Sequence, residues 1–118
     1  MTTNRQVKGL AVDIMCAEPD ELRFCRKLSA DVNQGTMSLV RVMVLGRQVY
    51  PRAEAVLGVA DVLLRCEFRI RDASVEATDN DIRRLFERLS RYVLVDAHTI
   101  DHAGGVITRV EVPVPAHA

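Results

Sequence analysis

The sequence predicts an α+β fold: an antiparallel β-sheet of about four strands, with a helix over residues 79–94 packed on one face. Three observations carry this. From Leu64 the chain alternates strictly, with Leu64, Cys66, Phe68 and Ile70 on one side and Arg65, Glu67, Arg69 and Arg71 on the other, the period-two pattern of a strand with one buried and one wet face. A sheet that is wet on one side is usually antiparallel. Ile82, Leu85, Phe86, Leu89 and Val93 then recur at helical spacing in a single apolar stripe.

In chain order, residues 1–5 are polar and expected to fray. Residues 6–16 read as the first strand, with Leu10, Val12, Ile14 and Cys16 sharing a face. Residues 17–35 have two readings. As a helix, Pro19 sits in the first turn, Asp20 and Glu21 complement the dipole and Gly35 closes the end. As a strand, Leu22, Phe24, Arg26 and Leu28 alternate with Arg23, Cys25 and Lys27, which is poor alternation, so local chemistry favours the helix. Residues 36–46 form a strand, apolar on both sides and hence expected centrally in the sheet. Residues 47–55 connect, broken by Pro51, and 56–72 form the long strand, bent at Gly58. After a turn at 73–77, Thr78 caps the helix with Asp81 three residues on. The tail after Tyr92 is either a hairpin turning at 101–105 or a helix continued to Gly104-Gly105; Pro113 and Pro115 fit an edge strand or an extended end. With a helical 17–35 the order becomes βαββαβ, the ferredoxin-like arrangement, which is the alternative fold.

The 118 residues are expected to make a single domain over 1–118. Sixteen basic and sixteen acidic residues cancel, which argues against bulk nucleic-acid affinity. The chain has no Trp, three Phe and two Tyr, a poor supply for a base-stacking surface. Three cysteines without CxxC spacing read as buried thiols of a reducing compartment. With no signal-peptide pattern and no membrane-length apolar run, the expected location is cytoplasmic and no membrane partner is expected.

Candidate chemistry is sparse. His98 and His102, with Asp101 between them, have the one-turn spacing of paired metal ligands if that stretch is helical. Their ordinary reading is as histidines beside acids, so no metal and no cofactor is expected. Arg83, Arg84, Arg88 and Arg91 with Glu87 form a charged stripe that reads first as a solvated helix face and second as a phosphate or RNA grip. No nucleophile elbow, P-loop or dinucleotide fingerprint occurs, so enzyme activity is not expected. Apolar residues on both faces of strands 36–46 and 56–72 exceed what one helix covers, which points to a partner and to a homo-oligomer.

Several stretches look like a known family. VLGVADVLLRCEFRIRD, TDNDIRRLFERLSRYVLV, ITRVEVPVP and QVKGLAVDIMCAEP resemble the last strand, first helix, closing T-x-R…P segment and opening strand of the SecB-like chaperones, including those that accompany toxin–antitoxin pairs. The resemblance implies four antiparallel strands before the helices, and so a strand within 17–35. It implies a non-enzymatic chaperone-like protein that holds an unfolded or partly folded client on apolar sheet surface as a homo-oligomer. Val40, Val42, Val44, Leu63 and Leu64 are the expected binding residues. The alternatives are a phage- or shell-type structural subunit using the same apolar faces, and a small ferredoxin-like enzyme or metal protein using His98, Asp101 and His102.

Overall fold

In a computed structural model of the chain, residues 5–17, 19–48 and 61–113 are described. The elements run β1 (Gly9–Cys16), α1 (Glu21–Val32), β2 (Met37–Gln48), β3 (Asp61–Ile70), α2 (Asp79–Arg88), β4 (Val93–Ile100) and β5 (Val106–Arg109). The strands form one antiparallel sheet in the order β2-β3-β1-β4-β5. Each helix links two strands that lie either side of a third, the split βαβ unit repeated. The first six elements therefore have the ferredoxin-like order, and β5 adds an edge strand beyond β4.

Residues 17–35 resolve as a helix for the local reasons. Asp20 caps α1 by accepting from the Arg23 N–H, and Phe24, Leu28 and Val32 lie buried on one face. Four strands before the first helix, the order implied by the SecB-like resemblance, is not the order of this chain. The Thr78 capping box starts α2 as expected, but the helix stops at Arg88 rather than running to residue 94. From Ser90 the chain turns, and Val93 opens β4. Of the stripe, Leu89 stays in the core just past the helix, whereas Val93 is exposed; Tyr92 packs against the core in its place.

The sheet has five strands rather than about four, because the tail is a hairpin. Its turn is built by Asp101, whose Oδ1 accepts from the N–H groups of Ala103 and Gly105, and by Gly104 at φ 85°, a conformation that favours glycine. Arg5 ties the amino-terminal end to this turn through the Asp101 carboxylate and the Val106 carbonyl, so residue 5 is anchored rather than frayed. Pro51, Gly58 and Pro115 lie outside the described residues, as does most of the expected 47–55 connection.

Both helices cover one face. Leu10, Val12, Ile14 and Cys16 of β1 are fully buried there with Leu64, Cys66 and Phe68 of β3, under Phe24, Leu28, Ile82, Leu85 and Leu89. Burying each large apolar side chain contributes roughly 1.5–3 kcal/mol. Gly9 is required by close packing: a Cβ there would run into the Phe68 carbonyl oxygen. Among the described residues no helix is long and apolar enough to cross a membrane.

The opposite face is mixed: a row of paired charges covers much of it, and Met15, opposite Leu63 and Val93, leaves an apolar part at one end. Asp13, 5% exposed, takes two bonds from its cross-strand neighbour Arg65, at 2.8 and 3.1 Å. Arg109 Nε donates to Asp96 at 3.1 Å, and Arg69 Nε donates to Glu67 at 2.5 Å while reaching the His102 carbonyl at 2.9 Å. β2 also differs from its expected central place and forms an edge. It carries register shifts between Leu39 and Arg41 and between Val44 and Gly46. Its mixed apolar pattern reflects these irregularities, with Val40 53% exposed, and not burial between two layers.

Candidate functional site

The residues expected to bind a client do not meet on one surface. Val42, Val44 and Leu64 lie on the helix-covered face, since their cross-strand partners there are core positions. Leu64 is buried in the core, Val42 packs against it and Val44 is exposed near the distal end of β2. Leu63 points to the other face, and Val40 stands out at the first irregularity of β2. The histidine cluster is likewise dispersed. His98 sits on β4, half-buried on the charged face, with Nε2 3.8 Å from Asp96 Oδ2. His102 is exposed in the β4–β5 turn, and the Asp101 carboxylate is engaged by Arg5 and the turn N–H groups. Among the described residues no three His, Cys, Asp or Glu side chains are grouped to hold a metal.

A large concave feature lies elsewhere among the described residues. A groove of about 950 Å³ runs between α2 and the β4–β5 hairpin. Volumes of this order are typical of ligand sites. Sequence and topology build it together. α1 lies over the β2 side of the sheet, α2 packs through Ile82, Leu85 and Leu89, and β5 extends the sheet past the helix. The helix-side face of the hairpin is thereby left open. Its walls are Val7, Ala77, Ile82, Phe86 and Leu89 on one side and Leu94, Thr99, Thr108 and Val110 on the other, with Tyr92 at one end and Pro113 at the rim.

The groove is mainly apolar, and the Thr99 and Tyr92 hydroxyls in its lining are bonded to the protein. Thr99 Oγ1 donates to the Thr108 carbonyl at 3.3 Å and accepts from the Thr108 N–H at 3.2 Å. Tyr92 stands edge-on to Phe24, ring centroids 5.5 Å apart, and its hydroxyl donates to Asp31 at 2.5 Å, so the groove's end wall is fixed to α1. Charges are confined to the α2 rim, where Asp79, Arg83 and Glu87 lie. Such a surface accepts an apolar body and offers it few directional bonds.

The signals for this groove are scattered along the chain. Phe86 and Leu89 are legible as a helix face, Leu94, Thr99, Thr108 and Val110 as strand positions, and Val7 as part of the first strand. That they share one cleft depends on β5 pairing beyond β4, which spacing along the chain does not reveal.

An open-faced α+β sheet with two helices on one side is the class of protein this structure defines. No protein-family model matches the sequence, and no curated protein matches it. The crystal structure of TT0538 protein from Thermus thermophilus is similar in fold, with a TM-score of 0.64 and 23% sequence identity over 85% of this chain. The match spans 20% of that chain, so this sequence corresponds to about one fifth of its length. At this identity the likeness is one of fold.

Proposed function

We propose that this chain is a non-enzymatic binding protein that takes an apolar segment of a partly folded client into the groove between α2 and the β4–β5 hairpin. The observation that carries the reading is the groove's lining: a mainly apolar cleft in which the Thr99 hydroxyl is bonded to the protein itself. This moves the client surface from the sheet, where paired charges cover much of the open face, to the helix side. The mechanism is mass action: binding the unfolded client lowers its free concentration and slows its aggregation. The outer edge of β2, with Val40, Val44 and Leu45 exposed, supports association with further copies of the chain by strand pairing. The same edge favours the second reading, a structural subunit that assembles without a client.

Light scattering of a slowly refolding client separates the two. The wild-type protein is expected to suppress client aggregation and to co-elute with the client. Leu94→Asp, which puts a charge in the groove wall, is expected to lose at least tenfold in suppression while remaining folded. A protein that assembles into a defined oligomer yet leaves client aggregation unchanged would overturn the client reading and leave the structural subunit.

A further inference from the structure

A second, smaller cleft of about 310 Å³ lies on the other flank of α2, where the helix faces the turn between α1 and β2. Arg84 and Arg88 line it from the helix; Gln34, Gly35 and Thr36 line it from the turn. Arg84 and Arg88 are four residues apart, so their side chains rise on one side of the helix as like charges that repel. The turn is shaped around one of them. A Cβ on Gly35 would lie 3.0 Å from Arg88 Nε and 3.5 Å from its Cδ, so the missing side chain leaves the room that Arg88 occupies at the mouth.

Asp81, the acid of the cleft, is already engaged. Its Oδ1 accepts from Thr36 Oγ1 at 3.0 Å, and its Oδ2 accepts from the Thr78 N–H at 2.8 Å and the Thr78 hydroxyl at 2.9 Å. The charge of Arg84 acts on this one carboxylate, Arg88 Nη1 donates to the Asp31 carbonyl at 3.4 Å, and two guanidinium groups against one carboxylate leave the lining net positive. Leu85 closes its floor. Guanidinium forks match the oxygens of a phosphoryl group in shape and charge. We infer that this cleft binds the phosphoryl group of a small phosphorylated metabolite, held between Arg84 and Arg88 with the Gln34 amide at the rim. The volume leaves space for a short organic portion. The site is separate from the client groove and does not depend on it.

Calorimetric titration with inorganic phosphate and with glycerol 3-phosphate, at constant ionic strength in chloride, tests the assignment. Saturable one-site binding is expected, weakened at least tenfold in Arg84→Gln and in Arg88→Gln. Gly35→Ala, which displaces the Arg88 head, is expected to weaken it with circular dichroism unchanged. Arg23→Gln, an exposed arginine on α1, is expected to bind as wild type. Absence of saturable binding, or an equal loss in Arg23→Gln, would overturn the site. So would a short oligonucleotide that binds more tightly than glycerol 3-phosphate, because the charge would then be serving an extended backbone.

Discussion

Cys66 shows how a single position ties core packing to pH. It lies in the middle of β3, fully buried, opposite Val12. Burial first, then the nearby Cys25, Asp13 and Cys16, push its thiol from 9.0 up to about 12. The folded chain therefore keeps a proton that the unfolded chain releases above pH 9, and this contribution to stability is whole below pH 9 and lost as pH rises toward 12. The expected loss is on the order of a few kcal/mol across that window. Urea midpoints measured from about pH 7 to pH 10.5 should fall for the wild type, whereas Cys66→Ala should start lower, for want of packing, and fall less. Cys25, half-buried on α1, is also raised, by burial and by Glu21. Gly9 is the other residue on which the fold turns: β1 and β3 pair closely there because no Cβ intervenes.

Among the elements, α2 owes its start to a reciprocal pair. The Asp81 N–H donates to the Thr78 hydroxyl at 3.3 Å, and the Asp81 carboxylate accepts from the Thr78 N–H and hydroxyl. Thr78→Ala is expected to cost about 0.5–2 kcal/mol, read as a lowered urea midpoint with an unchanged slope. Because α2 walls both the groove and the cleft, the same variant should weaken each activity modestly. A helix that continued to residue 94, as the apolar stripe suggests, would have taken Val93 and Leu94 out of β4. The stripe marks a buried face as far as Leu89 and a helix only as far as Arg88; its last member, Val93, opens β4 and is exposed. Leu89 and Tyr92 satisfy the same core from a turn.

For the molecule as a whole, charge is arranged as a bonded surface. Several carboxylates lie below the usual 3.8: Asp72 through the Ser74 hydroxyl and N–H, Asp81 through the Thr78 N–H and hydroxyl, and Asp101 through Arg5 and the Gly105 N–H. Asp96 joins them, its burial outweighed by the Ala97 N–H and Arg109. Each binds a proton less readily folded than unfolded. Their contribution is present at neutral pH and is lost as pH falls through 3.8 toward the lower folded values. Unfolding midpoints are expected to hold between about pH 7 and pH 5 and to drop below about pH 4. Asp81→Asn should be less stable at neutral pH and show a shallower drop. Salt should change little near Asp13–Arg65, which is shielded from solvent, and more at the exposed Arg109.

Much of this protein follows from local pattern. The β1, β3 and α2 faces, the helical reading of 17–35 and the hairpin reading of the tail are all available in side-chain period, caps and turn residues, because each is decided within a few residues of chain. The tertiary structure alone decided that β2 lies at an edge, that charges on the sheet's second face pair across strands, and that β5 extends the sheet past α2. These depend on which strands pair and in what register, choices made among residues such as Asp13 and Arg65 that are far apart in sequence. The groove and the arginine cleft follow from those pairings, and so the apolar and basic residues seen along the chain became sites only when the sheet order brought their surfaces together.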